Sequence, residues 1–171
     1  MGDIYVELAR QSLTSYIKDG KKLKQPEGLP EELTGRRAGA FVSLHKNGEL
    51  RGCIGTIGPT TSCIAQEIID NAVSASTRDP RFPAVKESEI PELEINVDVL
   101  GEAEDIDSLD MLDVKKYGVI VSTPDGRRGL LLPDLEGVDT VEDQVSIAMY
   151  KGGIYTDEKI YLQRFEVVRH K

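Results

Sequence analysis

Ala38-Gly39-Ala40-Phe41-Val42-Ser43-Leu44-His45-Lys46-Asn47-Gly48-Glu49-Leu50-Arg51-Gly52-Cys53-Ile54-Gly55-Thr56-Ile57 is the stretch on which the fold turns. Asn-Gly is the dipeptide that most readily takes the two positive φ angles of a type I′ turn, so it predicts a hairpin. The strands are then 38–46 and 49–57. With Asn47-Gly48 as a two-residue turn, Lys46 pairs with Glu49, Leu44 with Arg51 and Val42 with Cys53. Alternation places Cys53 on the face of Val42, Leu44 and Arg51. His45 takes the opposite parity, which argues against a Cys53–His45 nucleophile and base.

Helical patterns lie on both sides of this hairpin. Ile4, Leu8, Leu13 and Ile17 recur near the helical period over 3–18, and Gly20 ends that helix. Lys18, Lys21, Lys22 and Lys24 form a basic tail, and Pro26 and Pro30 mark a surface loop. Thr61 or Ser62 is the expected N-cap of a second helix over 62–77, with Ile64, Ile68, Ala72 and Ala75 as its apolar stripe. Pro80 and Pro83 prevent its continuation. Residues 93–100 alternate as a strand, and the acidic stretch Glu102–Asp113 is expected to hold a short exposed helix. Residues 118–123 and 128–132 read as a second hairpin across Pro124-Asp125-Gly126. Thr140 caps a helix over 141–151 that ends at Gly152-Gly153, and 159–170 reads as a closing strand. Hairpins mixed with separate helices predict an α+β fold, a mainly antiparallel sheet packed with helices.

The 171 residues fit one domain, or two small sub-domains sharing a core. Thirty acidic residues against 21 lysines and arginines give a net charge of -9, which argues against general duplex-DNA binding but leaves room for a local basic pocket. Two cysteines ten positions apart read as reduced thiols. The start lacks a basic segment followed by an apolar one, Val6 stands where a myristoylation motif wants Ser or Thr, and no apolar run approaches the roughly 20 residues of a membrane span. The expectation is a cytoplasmic protein without membrane association.

Leu50-Arg51-Gly52-Cys53-Ile54-Gly55 concentrates the candidate chemistry. Gly52 and Gly55 leave no Cβ beside the thiol, so backbone or ligand can come close. Arg51 would favour the thiolate, the form that attacks. The alternative is a small buried hydrophobe, the commonest fate of a cysteine outside a disulfide. His170, the other histidine, is expected at a frayed terminus, a poor place for a base. Cys63, near a helix start, is expected to be half-packed against the sheet. Arg78-Asp79-Pro80-Arg81-Phe82-Pro83 is the second constellation: a proline-fixed loop that can hold Arg78 and Arg81 for carboxylate or phosphate recognition. Its plainer reading pairs Asp79 with an arginine while Phe82 plugs the core. Arg127-Arg128-Gly129 adds positive charge in the second hairpin. Zinc-ligand spacing, Walker A, the dinucleotide glycine fingerprint and the nucleophile elbow are all missing, so no metal and no cofactor is called for.

Leu50-Arg51-Gly52-Cys53-Ile54-Gly55, Asp79-Pro80-Arg81-Phe82-Pro83 and Arg127-Arg128-Gly129-Leu130-Leu131-Leu132-Pro133, in this order and spacing, resemble the signature segments of the AMMECR family. The resemblance runs from about residue 4 to the C-terminus. Leu132-Pro133-Asp134-Leu135-Glu136-Gly137-Val138-Asp139-Thr140 resembles the prokaryotic form, which shares a system name with Memo-like and radical-SAM proteins. It implies one AMMECR-type domain over 1–171 with a smaller β-containing sub-domain intertwined with the larger sheet. It also implies a Memo-like, dioxygenase-like protein and a radical-SAM protein as partners, and RNA or nucleotide modification as a suggested role. Tyr150-Lys151-Gly152-Gly153 stands where many relatives carry a Cys and Lys-Ala-Gly. Two functions stay open. In one, Cys53 and Arg51 are catalytic, and Gly52, Gly55, Arg78, Asp79, Arg81 and Arg128 hold an anionic nucleotide or RNA. In the other, the chain is a non-catalytic binding or scaffold subunit.

Overall fold

Asn47 and Gly48 take positive φ, 53° and 79°, and join β1 (Ala40–Lys46) to β2 (Glu49–Gly55). A computed structural model describes residues 2–171. Its chain divides into two compact units: one runs through Leu100 and includes Val168–Lys171, the other is Gly101–Val167.

The first unit opens with α1 (Ile4–Asp19). Asp3 caps it by accepting the Tyr5 amide at 2.8 Å, and Gly20 closes it in the left-handed region. The loop after it contains a one-turn helix, α2 (Glu31–Thr34), whose Leu33 is buried. A sheet of order β2-β1-β3-β8 follows, with β3 (Leu93–Leu100) and β8 (Val167–His170). The inner positions Val42, Leu44, Ile95 and Val97 pack with Leu8 and Leu13 of α1 and with Ile64, Ile68, Ile69 and Ala72 of α3 (Ile64–Thr77). Ser12 adds a buried bond from its hydroxyl to the Ile69 carbonyl at 2.7 Å.

The hairpin register departs from expectation after two pairs. Lys46 faces Glu49 and His45 faces Leu50 as expected, but Leu44 faces Gly52, so Arg51 is the extra residue of a β-bulge. Beyond it the parity reverses, and Cys53 faces Ser43 rather than Val42. Cys53 therefore shares the face of Phe41, Ser43 and His45, not that of Val42, Leu44 and Arg51. The parity that set His45 opposite Cys53 does not hold.

Neither Thr61 nor Ser62 caps α3. Cys63 is its N-cap residue, but its thiol donates to Gln25 Oε1 at 3.4 Å rather than capping a helix amide, and the Thr61 hydroxyl is spent on Glu67 and the Cys63 carbonyl. Cys63 itself is buried in the core.

The second unit is a sheet of order β4-β7-β5-β6, made of β4 (Glu104–Ile106), β5 (Gly118–Ser122), β6 (Arg128–Leu131) and β7 (Tyr161–Phe165). Against it packs α4 (Val141–Lys151), capped by the Thr140 hydroxyl accepting the Asp143 amide at 3.1 Å. The short exposed helix of the acidic stretch is a single 3-10 turn at Leu109–Met111, and the stretch also holds β4. The closing strand is two strands, β7 in the second sheet and β8 in the first, separated at Glu166. No helix among the described residues is long and apolar enough to cross a membrane.

Candidate functional site

Cys53 lies on β2, an edge strand, and its peptide groups point away from β1. Its amide donates to Asp79 Oδ2 at 3.0 Å, and its carbonyl accepts from Arg81 Nη2 at 3.3 Å. A residue whose peptide groups face outward belongs to a non-hydrogen-bonded pair, in which the facing side chains come closest. Ser43 Oγ and Cys53 Sγ accordingly stand 3.3 Å apart. Asp79 and Arg81 together take the place that a further strand would fill, which also blunts the exposed edge.

Asp79 is buried after the end of α3. Its Oδ1 accepts the Arg81 amide and Nε, both at 3.0 Å, and its Oδ2 accepts Arg81 Nη2 at 2.8 Å. The Arg81 guanidinium, aided by the Cys53 amide and opposed by burial, holds the Asp79 carboxyl at about 2. Asp79 in turn raises the Arg81 pKa, with a smaller contribution from Cys53. Arg81 is 53 % exposed, its guanidinium 5.4 Å from the centre of the Phe82 ring. Phe82 is half-buried beneath that cation rather than plugged into the core.

The bulge re-aims Arg51 toward the loop that follows Asp79. Arg51 Nε and Nη2 grip Glu89 Oε2 and Oε1 at 3.0 and 3.1 Å, while Nη1 and Nη2 donate to the carbonyls of Pro83 and Ala84 at 2.8 and 3.3 Å. Glu89 also accepts Lys46 Nζ at 3.2 Å and the Lys86 amide at 3.0 Å. The Arg51 fork is the main cause that brings the Glu89 carboxyl to about 2. A cleft of about 630 Å³ on this side is lined by Leu50, Arg51, Phe82, Lys86 and Glu89 among others.

Packing accounts for both glycines. A Cβ on Gly52 would collide with the Ala75 carbonyl of α3, and one on Gly55 would meet the Phe41 ring. Arg78, directly after α3, is exposed. Arg128 is exposed on β6 of the second unit, where it pairs with Ser122. Its neighbour Arg127 is clamped by Asp125, Glu158 and the Gly153 carbonyl, which raises its pKa chiefly through Glu158. The structure thus joins Cys53, Asp79 and Arg81 in one hydrogen-bonded corner and gives Arg51 to the adjoining loop.

Two features escaped the sequence reading. Glu67, 1 % exposed, accepts the hydroxyls of Thr56, Thr60 and Thr61 and the amides of Thr60 and Thr61. Burial pushes its pKa up, but these bonds outweigh it and the net shift is downward. An acidic residue beside Ile68 on an apolar helix was the available signal. His170 is not frayed: it lies in β8, bonds Asp3 Oδ2 through Nδ1 at 2.7 Å and stacks on Tyr5 at 3.7 Å. Among the described residues no group of three His, Cys, Asp or Glu side chains is placed to hold a metal ion.

Two antiparallel four-stranded sheets with their helices, and a cysteine whose main chain is bonded by an Asp–Arg pair at a sheet edge, define an α+β class of two units. The chain belongs to the AMMECR1 family, whose profile matches residues 6–170. It is 51% identical over 169 residues to a protein of Thermotoga maritima, covering 98% of this chain and 97% of that one. A Clostridium acetobutylicum protein is 49% identical over 170 residues, covering 99% of this chain but 36% of the longer relative. The crystal structure of an uncharacterized protein from Pyrococcus horikoshii has the same fold, with a TM-score of 0.90 and 31% identity over 98% of this chain and 89% of that one.

Proposed function

We propose that this chain is a recognition module acting with a partner protein that carries the chemistry, and that the Cys53 corner is its contact surface. The observation behind this reading is the neutralisation of both arginines closest to the thiol in sequence and space. Arg51 is forked on Glu89, and Arg81 on Asp79. A phosphate arriving here meets two ion pairs instead of two open cations, and its binding would have to break bonds to carboxylates. The Clostridium acetobutylicum relative supports the same reading, since the matched segment makes up 36% of a longer chain, as a module joined to something else does. A Memo-like protein and a radical-SAM protein are the partners proposed.

Association of the purified chain with each of these two proteins tests the reading. Wild type and Cys53→Ser should bind at micromolar concentration, whereas Arg81→Glu, which sets two carboxylates side by side, should not. Failure of the wild type to bind either protein would overturn it.

A second reading has its own observation. The Ser43 hydroxyl and the half-exposed Arg81 both face Cys53, and both favour a thiolate. In this reading Cys53 is the nucleophile of an enzyme acting on an anionic nucleotide or RNA. Alkylation of Cys53 in the native protein at neutral pH, slowed severalfold by Arg81→Ala, would favour it over the first.

A further inference from the structure

The acid excess of the chain belongs almost wholly to its second unit. Residues 101–167 hold 15 acidic and 7 basic residues, and the remainder hold 15 and 14. Four tyrosines lie in this acidic unit, and two of them already carry cations on their rings. Lys116 and Arg164 sit 5.0 and 4.3 Å from the Tyr117 centroid, and Lys159 sits 5.5 Å from that of Tyr161. Tyr150 and Tyr155 are 86% and 71% exposed, and among the described residues no cation covers either ring.

These two tyrosines border a groove of about 620 Å³ at the C-terminal end of α4. Met149 and Ile154, both buried members of the local core, form its apolar side, and Asp157 stands beside it. Lys151, next to Tyr150, is engaged within the chain. An arginine or lysine side chain fits this combination: its aliphatic stem covers the apolar side, its charge meets the ring faces, and the carboxylate completes the pairing. We infer that this groove docks a basic, arginine- or lysine-bearing segment of a partner polypeptide. Nucleic acid, or the same acidic unit of a second copy, would bring like charge against a surface with eight more acidic than basic residues. The inference concerns the second unit and stands apart from the role of Cys53.

The probe is an acetylated, amidated hexapeptide of glycine with two arginines, set against its twin with citrulline, which keeps the shape and removes the charge. Binding is read by the methyl NMR signals of Met149 and Ile154 and by titration of the full chain. The arginine peptide should shift both methyl signals at concentrations where the citrulline twin does not. Tyr150→Ala with Tyr155→Ala should weaken binding about tenfold, in line with two cation–π contacts, and Asp157→Asn about threefold. Glu102→Gln with Asp107→Asn, outside the groove, should change it less than twofold. Equal binding of the two peptides, or no binding at millimolar concentration, would overturn the inference. So would equal weakening by the tyrosine pair and the control pair, or shifts that miss Met149 and Ile154. The wild-type comparison of the two peptides decides the matter even if a variant does not fold.

Discussion

The Asp79 carboxylate accepts the main-chain amide of Cys53 at 3.0 Å, so a side chain 26 residues away completes the hydrogen bonding of the edge strand. Removing it leaves a half-buried peptide group and the Arg81 guanidinium without their acceptor. Asp79→Ala should destabilise the protein by about 2 kcal/mol, the value of hydrogen bonds to a charged group, and Asp79→Asn by less, since the amide retains an acceptor oxygen. Urea denaturation checks the energies. Alkylation of Cys53 in the native state should become faster in both variants as the edge loosens.

Gly52 and Gly55 flank the same thiol but tolerate different changes. The obstacle to a Cβ on Gly52 is the backbone carbonyl of Ala75, fixed in α3, whereas on Gly55 it is the Phe41 ring. Gly52→Ala should cost about 1–3 kcal/mol through overpacking, and Gly55→Ala should cost less because the ring can turn aside. Combining Gly55→Ala with Phe41→Leu should recover part of the Gly55 loss and none of the Gly52 loss. Thermal unfolding of the set is the measurement.

Acid should act through Asp79 and Glu89, both held at about 2 by Arg81 and Arg51. A carboxylate with a depressed folded pKa contributes stability above its unfolded pKa and loses it as pH falls through the folded value. The stability should be level down to about pH 5 and then decline between about pH 4 and 2, by on the order of 2 kcal/mol for each group. Glu89→Gln should start lower and show a shallower decline. Melting curves across this range check both the direction and the window.

Arg169 holds Asp98 by two bonds, Nε to Oδ1 at 2.8 Å and Nη2 to Oδ2 at 3.0 Å, with the Asp98 side chain 3 % exposed. Arg169→Ala strands that carboxylate and should cost about 3 kcal/mol, at the lower end for a broken buried pair. Arg81→Ala should cost less, because Arg81 is half in solvent. Asp98→Asn in the Arg169→Ala background should restore part of the loss, which denaturant titration would show.

Much of the fold was legible where chemistry is local. Asn47-Gly48, the Gly20 stop, the alternation over 93–100 and the Thr140 cap each depend on residues within a few positions, and each lies where the sequence puts it. What stayed hidden depends on distant partners. The bulged Arg51 is held by Glu89, 38 residues on, and no alternation pattern records that pairing. The cap of α3 differs from expectation in part because Glu67, inside the helix, takes the hydroxyl of Thr61, one of the two expected caps. His170 is ordered by Asp3 and Tyr5 from the other end of the chain. Cys53, Asp79 and Arg81 were all recognisable as residue types, but their union at one edge was not, since it required the corrected register.

One residue at position 51 decides on which side of the sheet the thiol lives. An unbroken register that paired it with Leu44 would set Cys53 on Val42 and turn the thiol inward, toward α3, beyond the reach of any solvent-borne reagent or partner. The bulge therefore acts as an address label: the same six letters, paired without a skip, would spell a core residue.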